Sequence, residues 1–488
     1  MRRISWQDER RRRIEDAARG PLDVLVVGGG IVGAGIARDA ALRGLRIGLV
    51  EQYDMAFGTS SRSSRLLHGG LRYLAQGRIG LVHEASHEKR TLHRIAPHLA
   101  EPLAFVFPTY RRTPWALWKL RIGVKVYDLL CGGHNLGPSR SMGRDEVLRY
   151  LPGPKPENLT GAVRYYDGLT NDARLVLDTL RCAARHGAIL CSYTRLENAV
   201  PVQGAWECHV RDTIADRGHE IAARTVVNAT GPWAQRLPQS SIRLRLTKGV
   251  HLVIDRQRLP VPDAVVMAEG QRILFAIPWG ERVILGTTDT DYDGPIEAVR
   301  TEKADVDYVL GVANAAFPGA QLQERDVLSH WAGLRPLIAT GRGGPSDISR
   351  AHEICMPHAG WVDVAGGKLT TYRLIAEQVV DRVVRQLGRG PVPCRTAQEP
   401  LLRPEATQGI SSLLPPAVSA ELVEHYCANE WAVHLDDVML RRSGWHYYQP
   451  APQSVAEQVA GWMADVLGWD RAQQDAEIVR YQEATASA

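Results

Sequence analysis

Residues 23–51 read D-V-L-V-V-G-G-G-I-V-G-A-G-I-A-R-D-A-A-L-R-G-L-R-I-G-L-V-E. Residues 24–27 form an apolar run suited to a buried strand, 31–43 carry helical spacing, Gly44 is placed to end that helix, and 46–50 make a second strand. This order predicts a βαβ unit. Gly28, Gly30 and Gly33 fall at the first strand-to-helix turn as G-x-G-x-x-G, with Ile31 opening the helix. The first two glycines permit a tight turn and let a pyrophosphate approach backbone N–H groups; the third lets helix and strand pack. Glu51 ends the second strand, where a carboxylate accepts from a ribose hydroxyl and repels a 2′-phosphate. A merely structural Gly-rich turn shares the glycines but not this ordered set. A dinucleotide site is therefore expected, with FAD and NAD both compatible.

The 488 residues exceed one ordinary core, at about 100–200 residues per domain. Hydrophobic residues at 44% and charged residues at 23% exclude a disordered chain, and 45 Gly and 28 Pro follow no collagen-like period. A formal charge of +5, from 59 basic and 54 acidic residues, gives no support to nucleic acid as a partner. The seven cysteines are scattered without a C-x-x-C pair, so no metal site or disulfide framework is signalled and a reducing cytoplasm is the simplest home. The longest apolar run, 24–37, stops short of the ~18 residues a membrane-spanning helix needs. The amino terminus mixes Arg2, Arg3 and Arg10 to Arg13 with Asp8, Glu9, Glu15 and Asp16. Lacking an apolar core, it reads as a polar extension with a frayed, solvated helix rather than a secretory signal.

Further along, 171–185 has amphipathic helical spacing, with short strands expected at 189–193 and 206–210. Residues 225–233, T-V-V-N-A-T-G-P-W, run a buried strand into Ala229, Thr230 and Gly231, a small-residue turn at a strand's carboxyl end, where α/β sheets hold ligands. Two strand-like runs between 272 and 288 flank Trp279-Gly280-Glu281 as a hairpin. The run 361–364 leads through Ala365-Gly366-Gly367-Lys368-Leu369-Thr370-Thr371 into helical spacing over 372–387. This second strand, glycine turn and helix start offers further backbone donors to the same cofactor. Residues 58–74, G-T-S-S-R-S-S-R-L-L-H-G-G-L-R-Y-L, supply donors on a flexible backbone just after the ribose acid. The loop either wraps a pyrophosphate and reaches the reacting ring, with His68, Arg72 and Tyr73 as its polar reach, or is solvated and basic.

At H-G-G-L-R-Y-L and G-G-K-L-T-T-Y-R, together with D-A-R-L-V-L, V-N-A-T-G-P-W, G-T-T-D-T and L-R-P-L, the chain resembles the FAD-dependent glycerol-3-phosphate dehydrogenase family, of the D-amino-acid-oxidase type. The resemblance covers about residues 23–387 in order and points to FAD. It implies oxidation of sn-glycerol 3-phosphate to dihydroxyacetone phosphate, with electrons passed to membrane quinone. It also implies a homodimer, peripheral on the cytoplasmic face of the plasma (inner) membrane.

The fold class expected is α/β plus α+β: a Rossmann-like FAD-binding domain (21–90, 155–240 and 351–388), a mixed-sheet substrate domain (91–154 and 241–350) and a helical C-terminal cap (389–488), after a polar extension over 1–20. Non-covalent FAD contacts are expected from Gly28, Gly30, Ile31, Gly33 and Glu51, from Thr59, Ser60, Ser61, Gly69, Gly70 and Leu71, and from Ala229, Thr230, Gly231, Gly367, Lys368, Leu369 and Thr370. By resemblance, Arg335 and Arg350 hold the phosphate, Arg72 and Tyr73 support the pocket, and Lys368 and Thr370 lie by flavin and substrate. Alcohol oxidation needs a base for the C2 hydroxyl proton as hydride leaves for flavin. Of 16 histidines, His68 and His251 fall in matched motifs, and His68 is preferred.

The carboxyl-terminal region looks shorter than the family's usual cap. Residues 110–130 interleave Trp115, Trp118, Leu117 and Ile122 with Arg111, Arg112, Lys119, Arg121 and Lys125. That basic amphipathic pattern suits an anionic membrane surface, and suits equally a helix packed on its own domain with snorkelling cations. Competing functions are an oxygen-using oxidase of the same substrate, an amine-oxidising FAD relative and a non-catalytic flavin-binding protein. The Arg335, Arg350 and Lys368 cluster argues for phosphate over amine.

Overall fold

The structure, a computed structural model, describes residues 6–71, 74, 77–131, 135–270, 272–339 and 352–486. The strand Leu22–Val27 is buried along its whole length because it lies centrally in an eight-stranded sheet. It pairs in parallel with Ile47–Val50 on one side and with Arg217–Asn228 on the other. Ile189–Cys191 and Trp361–Gly366 extend the parallel set outward, and His352–His358 closes one edge in antiparallel sense. A sheet covered on both faces demands continuous apolar strands, which is how V-L-V-V and T-V-V-N read. Helices Ile31–Leu42, Asp172–Arg185 and Tyr372–Gln386 pack together on one face through Ile36, Val176 and Val379.

The second sheet has ten strands among the described residues, with Leu244–Asp255 paired to Val327–Ile338 over most of their length. Glu101–Tyr110 and Leu159–Leu169 form its other long antiparallel pair. This corrects the expected domain boundary: 159–169 belongs with the second sheet and not with the cofactor domain, and Leu66–Leu67 pairs with it too. Strand pairing over such sequence distances has no local signature, which is why the division at 155 was misplaced. The 272–288 hairpin forms as expected, between Arg272–Trp279 and Arg282–Gly286.

The amino-terminal extension is docked, not frayed. Helix Trp6–Ala18 puts Ile14 and Ala17 into a core with Leu22, Leu25 and Trp361. Its buried Arg10 donates to Asp212 Oδ1 at 2.8 Å and to the Ser192 carbonyl at 2.6 Å. Trp6 Nε1 reaches the Leu467 carbonyl in the cap at 3.0 Å. The cap begins as irregular chain and turns helical at Ala420–Asn429. It is tied down by buried charges: Arg442 grips both oxygens of Asp54, at 2.6 and 2.7 Å, and Arg174 pairs with Glu430 at 2.6 and 2.8 Å. Of the 110–130 stretch only Leu117–Leu130 is helical; Tyr110 ends a strand. No described helix is long and apolar enough to cross a membrane.

Candidate active site

The carboxyl ends of Leu22–Val27, Arg217–Asn228 and Trp361–Gly366 stand side by side, and each runs into a glycine turn. Gly28 has φ +113°, and a Cβ there would meet the Ala229 carbonyl oxygen at 2.6 Å. At Gly33 a Cβ would lie 1.9 Å from the Gly28 oxygen, so only glycine lets the helix close onto the turn. Gly30 caps the helix without a side-chain hydrogen bond, and first-turn N–H groups favour an anion. Glu51 Oε2 accepts from Gly29 N at 2.7 Å and Oε1 from Tyr53 N at 2.9 Å, so the carboxylate braces the turn and keeps lone pairs for a ribose hydroxyl. Burial raises its pKa to about 7 against the pull of those backbone donors.

A cavity of about 430 Å³ opens over these turns. Of the expected cofactor residues, Gly28, Gly30, Ile31, Glu51, Thr59, Ser60, Ala229, Thr230, Gly231, Gly367, Lys368, Leu369 and Thr370 line it. Gly33 and Ser61 are buried outside its lining. Gly69 is likewise buried, its N–H donating to Tyr127 Oη at 2.9 Å, while Gly70 and Leu71 line a second cavity instead. Thr370 spends its hydroxyl on the His68 backbone, accepting from N at 3.1 Å and donating to O at 3.2 Å. It thereby clamps the His68 loop to the Gly366–Gly367 turn. Arg72, Tyr73 and Arg350 lie outside the described residues.

His68, His251, Arg335 and Lys368 all line this cavity. In the antiparallel pair of Leu244–Asp255 with Val327–Ile338, Thr247 faces Arg335 and His251 faces Trp331. Between them Gly249 leaves room for Arg335, since a Cβ there would sit 2.3 Å from its Nη2. Arg335 donates to Thr287 Oγ1 at 2.9 Å and pairs with Asp289 at 3.2 Å, which holds the fork in place. His251 is 2% exposed, its ring stacked on Trp331 with centroids 5.1 Å apart and its Nε2 2.8 Å from Ser64 Oγ. Burial first, then the charges of Arg335 and Arg65, hold its pKa well below the usual histidine range. Arg65 lies over the ring of Trp279 at 4.2 Å.

Sequence reasoning did not single out Ser64, Gly249, Thr287, Asp289 or Trp331. Ser64 and the Thr287–Asp289 pair lie inside quoted motifs, so a signal existed, but only strand register shows what they touch.

A sequence family described as FAD dependent oxidoreductase matches residues 23–373, and one described as C-terminal domain of alpha-glycerophosphate oxidase matches 398–474. The chain is 37% identical to glycerol-3-phosphate dehydrogenase 2 of Mycobacterium tuberculosis, over 94% of this chain and 87% of that protein. It is 38% identical to the aerobic glycerol-3-phosphate dehydrogenase of Staphylococcus aureus, over 77% and 70%. Among solved structures, the glycerol-3-phosphate dehydrogenase from Bacillus halodurans complexed with FAD superposes with a TM-score of 0.80 at 30% identity, covering 99% of this chain and 98% of that one.

Proposed function

The chain belongs to the FAD-dependent glycerol-3-phosphate dehydrogenase family, and on that premise we propose that it oxidises sn-glycerol 3-phosphate to dihydroxyacetone phosphate and passes the electrons to a membrane quinone. FAD is its cofactor, and when bound it supplies the two-electron acceptor for hydride from C2. The observation that carries the residue assignment is the placement of Arg335 and His251 on adjacent strands in the wall of the flavin cavity. Arg335, braced by Asp289 and Thr287, presents a planar fork to a phosphate dianion. His251 takes the C2 hydroxyl proton: its imidazole is neutral, Nε2 faces the Ser64 hydroxyl, and Trp331 fixes the ring. We place the base at His251, whose ring Ser64 and Trp331 hold, in preference to the expected His68, which lines the same cavity. Lys368, at the start of the turn after Gly367, adds a cation beside the flavin.

Anaerobic addition of glycerol 3-phosphate to the yellow protein should bleach the flavin. Rates of reoxidation by quinone and by oxygen then separate dehydrogenase from oxidase. A hydrogen bond to a charged group is worth about 1.5–3 kcal/mol, so Arg335→Ala should lower kcat/KM for glycerol 3-phosphate roughly 10-fold to 150-fold with FAD retained. Activity on unphosphorylated glycerol should change far less; equal losses on both would show that Arg335 does not read phosphate.

Attachment to the anionic cytoplasmic face of the plasma (inner) membrane belongs to the same reading, while homodimerisation is carried over from the family resemblance alone. Supporting attachment, helix Leu117–Leu130 exposes Trp118 at 62%, Ile122 at 58% and Leu129 at 73%, with Lys119 and Arg121 also exposed and Arg111 and Arg112 in the turn before it. Replacing Arg111, Arg112 and Lys119 with Gln should release protein from anionic vesicles at physiological salt, at about 1 kcal/mol per cation. Unchanged partitioning in a sedimentation assay would place the anchor elsewhere.

A further inference from the structure

Three consecutive residues, just before the strand Leu66–Leu67, converge on the ring of His251. The Ser63 carbonyl accepts from Trp331 Nε1 at 3.2 Å, Ser64 Oγ stands 2.8 Å from His251 Nε2, and the Arg65 guanidinium lies 5.2 Å from the Trp331 ring on which His251 stacks. We propose that Arg65 is a positioning residue of the reaction, a fixed cation behind the Trp331–His251 stack that substrate does not reach and that keeps the base unprotonated while substrate is bound. The proposal rests on the reading of His251 as the base.

Arg65 is not explained by packing. Its guanidinium sits among aromatic rings, 4.2 Å from Trp279, 5.2 Å from Trp331 and 5.8 Å from Tyr447 of the cap. Only 4% of the residue is exposed, it lines neither of the two cavities, and its Nε and Nη1 find no hydrogen-bond partner among the described residues. Burying a charge without a carboxylate against it is costly even with cation–π attraction, and an apolar side chain would fill such a cage at lower cost. The backbone is held in a conformation that L-residues seldom take: φ is +56°, Arg65 N donates to Ser63 Oγ at 3.0 Å, and Arg65 O accepts from Thr170 N at 2.8 Å. Such local strain is characteristic of functional sites.

Access divides the work between Arg65 and Arg335. His251 is faced by Ser64 and Arg65 from the loop, by Trp331 and Arg335 from one neighbouring strand and by Gly286 from the other, while His68 and Lys368 line the same cavity. Of the carboxylates around them, Asp289 pairs with Arg335 and Asp172 accepts from Ser63 N at 2.8 Å. Both arginines disfavour a further positive charge on the imidazole. A phosphate dianion on Arg335 cancels one of them. A base guarded by Arg335 alone would therefore gain proton affinity as substrate bound and would enter the complex already protonated. Arg65, sealed away from the cavity, goes on repelling that proton. The imidazole then stays neutral until it receives the C2 hydroxyl proton, as hydride leaves C2 for the flavin.

The pH dependence of flavin reduction at saturating glycerol 3-phosphate, followed by anaerobic stopped flow, tests this. Arg65→Met removes the charge and keeps an unbranched chain in the cage; Arg65→Lys keeps the charge. The stacking distances, 5.1 and 5.2 Å, put the guanidinium within about 10 Å of the imidazole. At an effective dielectric constant of about 20, a unit charge there moves a pKa by roughly one unit. Removing a cation raises the proton affinity of the base, so the acid limb of Arg65→Met should lie about one pH unit above that of wild type. On that limb the variant should be up to about 10-fold slower, with the gap closing as pH rises, and Arg65→Lys should bring the limb back. Lost packing would instead lower the rate at every pH and leave the limb in place.

An unmoved limb in flavin-loaded Arg65→Met, or an equal shift in Arg65→Lys, overturns the proposal. Arg65→Gln serves as a second neutral variant. If neither neutral variant loads flavin while Arg65→Lys does, the cation is structural and the proposal is overturned too. His251→Ala separates the two levels. If it keeps the acid limb, the base reading fails and this proposal with it; if it loses the limb while Arg65→Met leaves it where wild type has it, only the role of Arg65 fails.

Discussion

Gly33→Val should yield protein without flavin. The added Cβ would stand 1.9 Å from the Gly28 carbonyl oxygen, a backbone atom that can move only if the whole turn moves. Gly28 cannot yield easily, since it holds φ +113° and packs against the Ala229–Thr230 backbone. Shifting that turn withdraws the N–H groups aimed at the pyrophosphate. At about 1.5–3 kcal/mol for each hydrogen bond to a charged group, losing two weakens FAD binding roughly 10²-fold to 10⁴-fold. The flavin-to-protein absorbance ratio after gel filtration measures this, and overpacking should also lower the melting temperature. Gly30→Ala is the instructive contrast. Its Cβ would meet only Ser60 Oγ, at 3.1 Å, the end of a side chain that can rotate away. Ser60 Oγ accepts from Ile31 N at 3.0 Å, so this variant should fold normally and any flavin it loses reports the helix-start contacts, not a displaced backbone. A yellow, fully loaded Gly33→Val protein would falsify the packing argument for the third glycine.

His251→Ala should leave FAD bound and slow its reduction by glycerol 3-phosphate about 10²-fold to 10⁴-fold, the range that a positioned general base contributes. The pH dependence carries an independent sign. A base works deprotonated, so the rate of flavin reduction rises with pH through the His251 pKa and is level above it. Burial, Arg335 and Arg65 hold that pKa well below the usual histidine range, and Ser64 and Trp331 are the neutral groups against the ring. The wild-type profile should therefore be flat near neutrality and fall only on the acid side. Stopped-flow reduction of His251→Ala should lose that acid limb along with the rate. His68→Ala is the matched comparison: should it remove the limb while His251→Ala keeps it, the proton goes to His68.

The glycine turn and the histidine site differ in how much of each is local in sequence. The glycine turn is a local object: strand, glycines, helix and acid lie within 29 consecutive residues, and each has a backbone or hydrogen-bonding reason to be where it is. Periodicity and turn chemistry act over a few residues, so they remain readable in one dimension. The same holds for the 272–288 hairpin and for the helix over 372–387. The amino-terminal helix shows the limit. Its run of arginines reads as solvated, yet Arg10 is buried because Asp212 and the Ser192 carbonyl, some 200 residues away in sequence, receive it. A charged side chain goes inside only when partners neutralise it, and those partners belong to another part of the fold.

By itself, then, the sequence determined the dinucleotide-binding unit, the glycine turns that line the cofactor cavity and, through its motifs, the family and FAD. Only the tertiary structure decided that 159–169 belongs to the second sheet and that Thr370 is tied to the His68 backbone. It also set His251, Ser64, Trp331 and Arg335 around one point. The physical reason is register. Antiparallel pairing of Leu244–Asp255 with Val327–Ile338 brings together side chains 73 to 94 positions apart, and a slip of one residue would turn each to the opposite face.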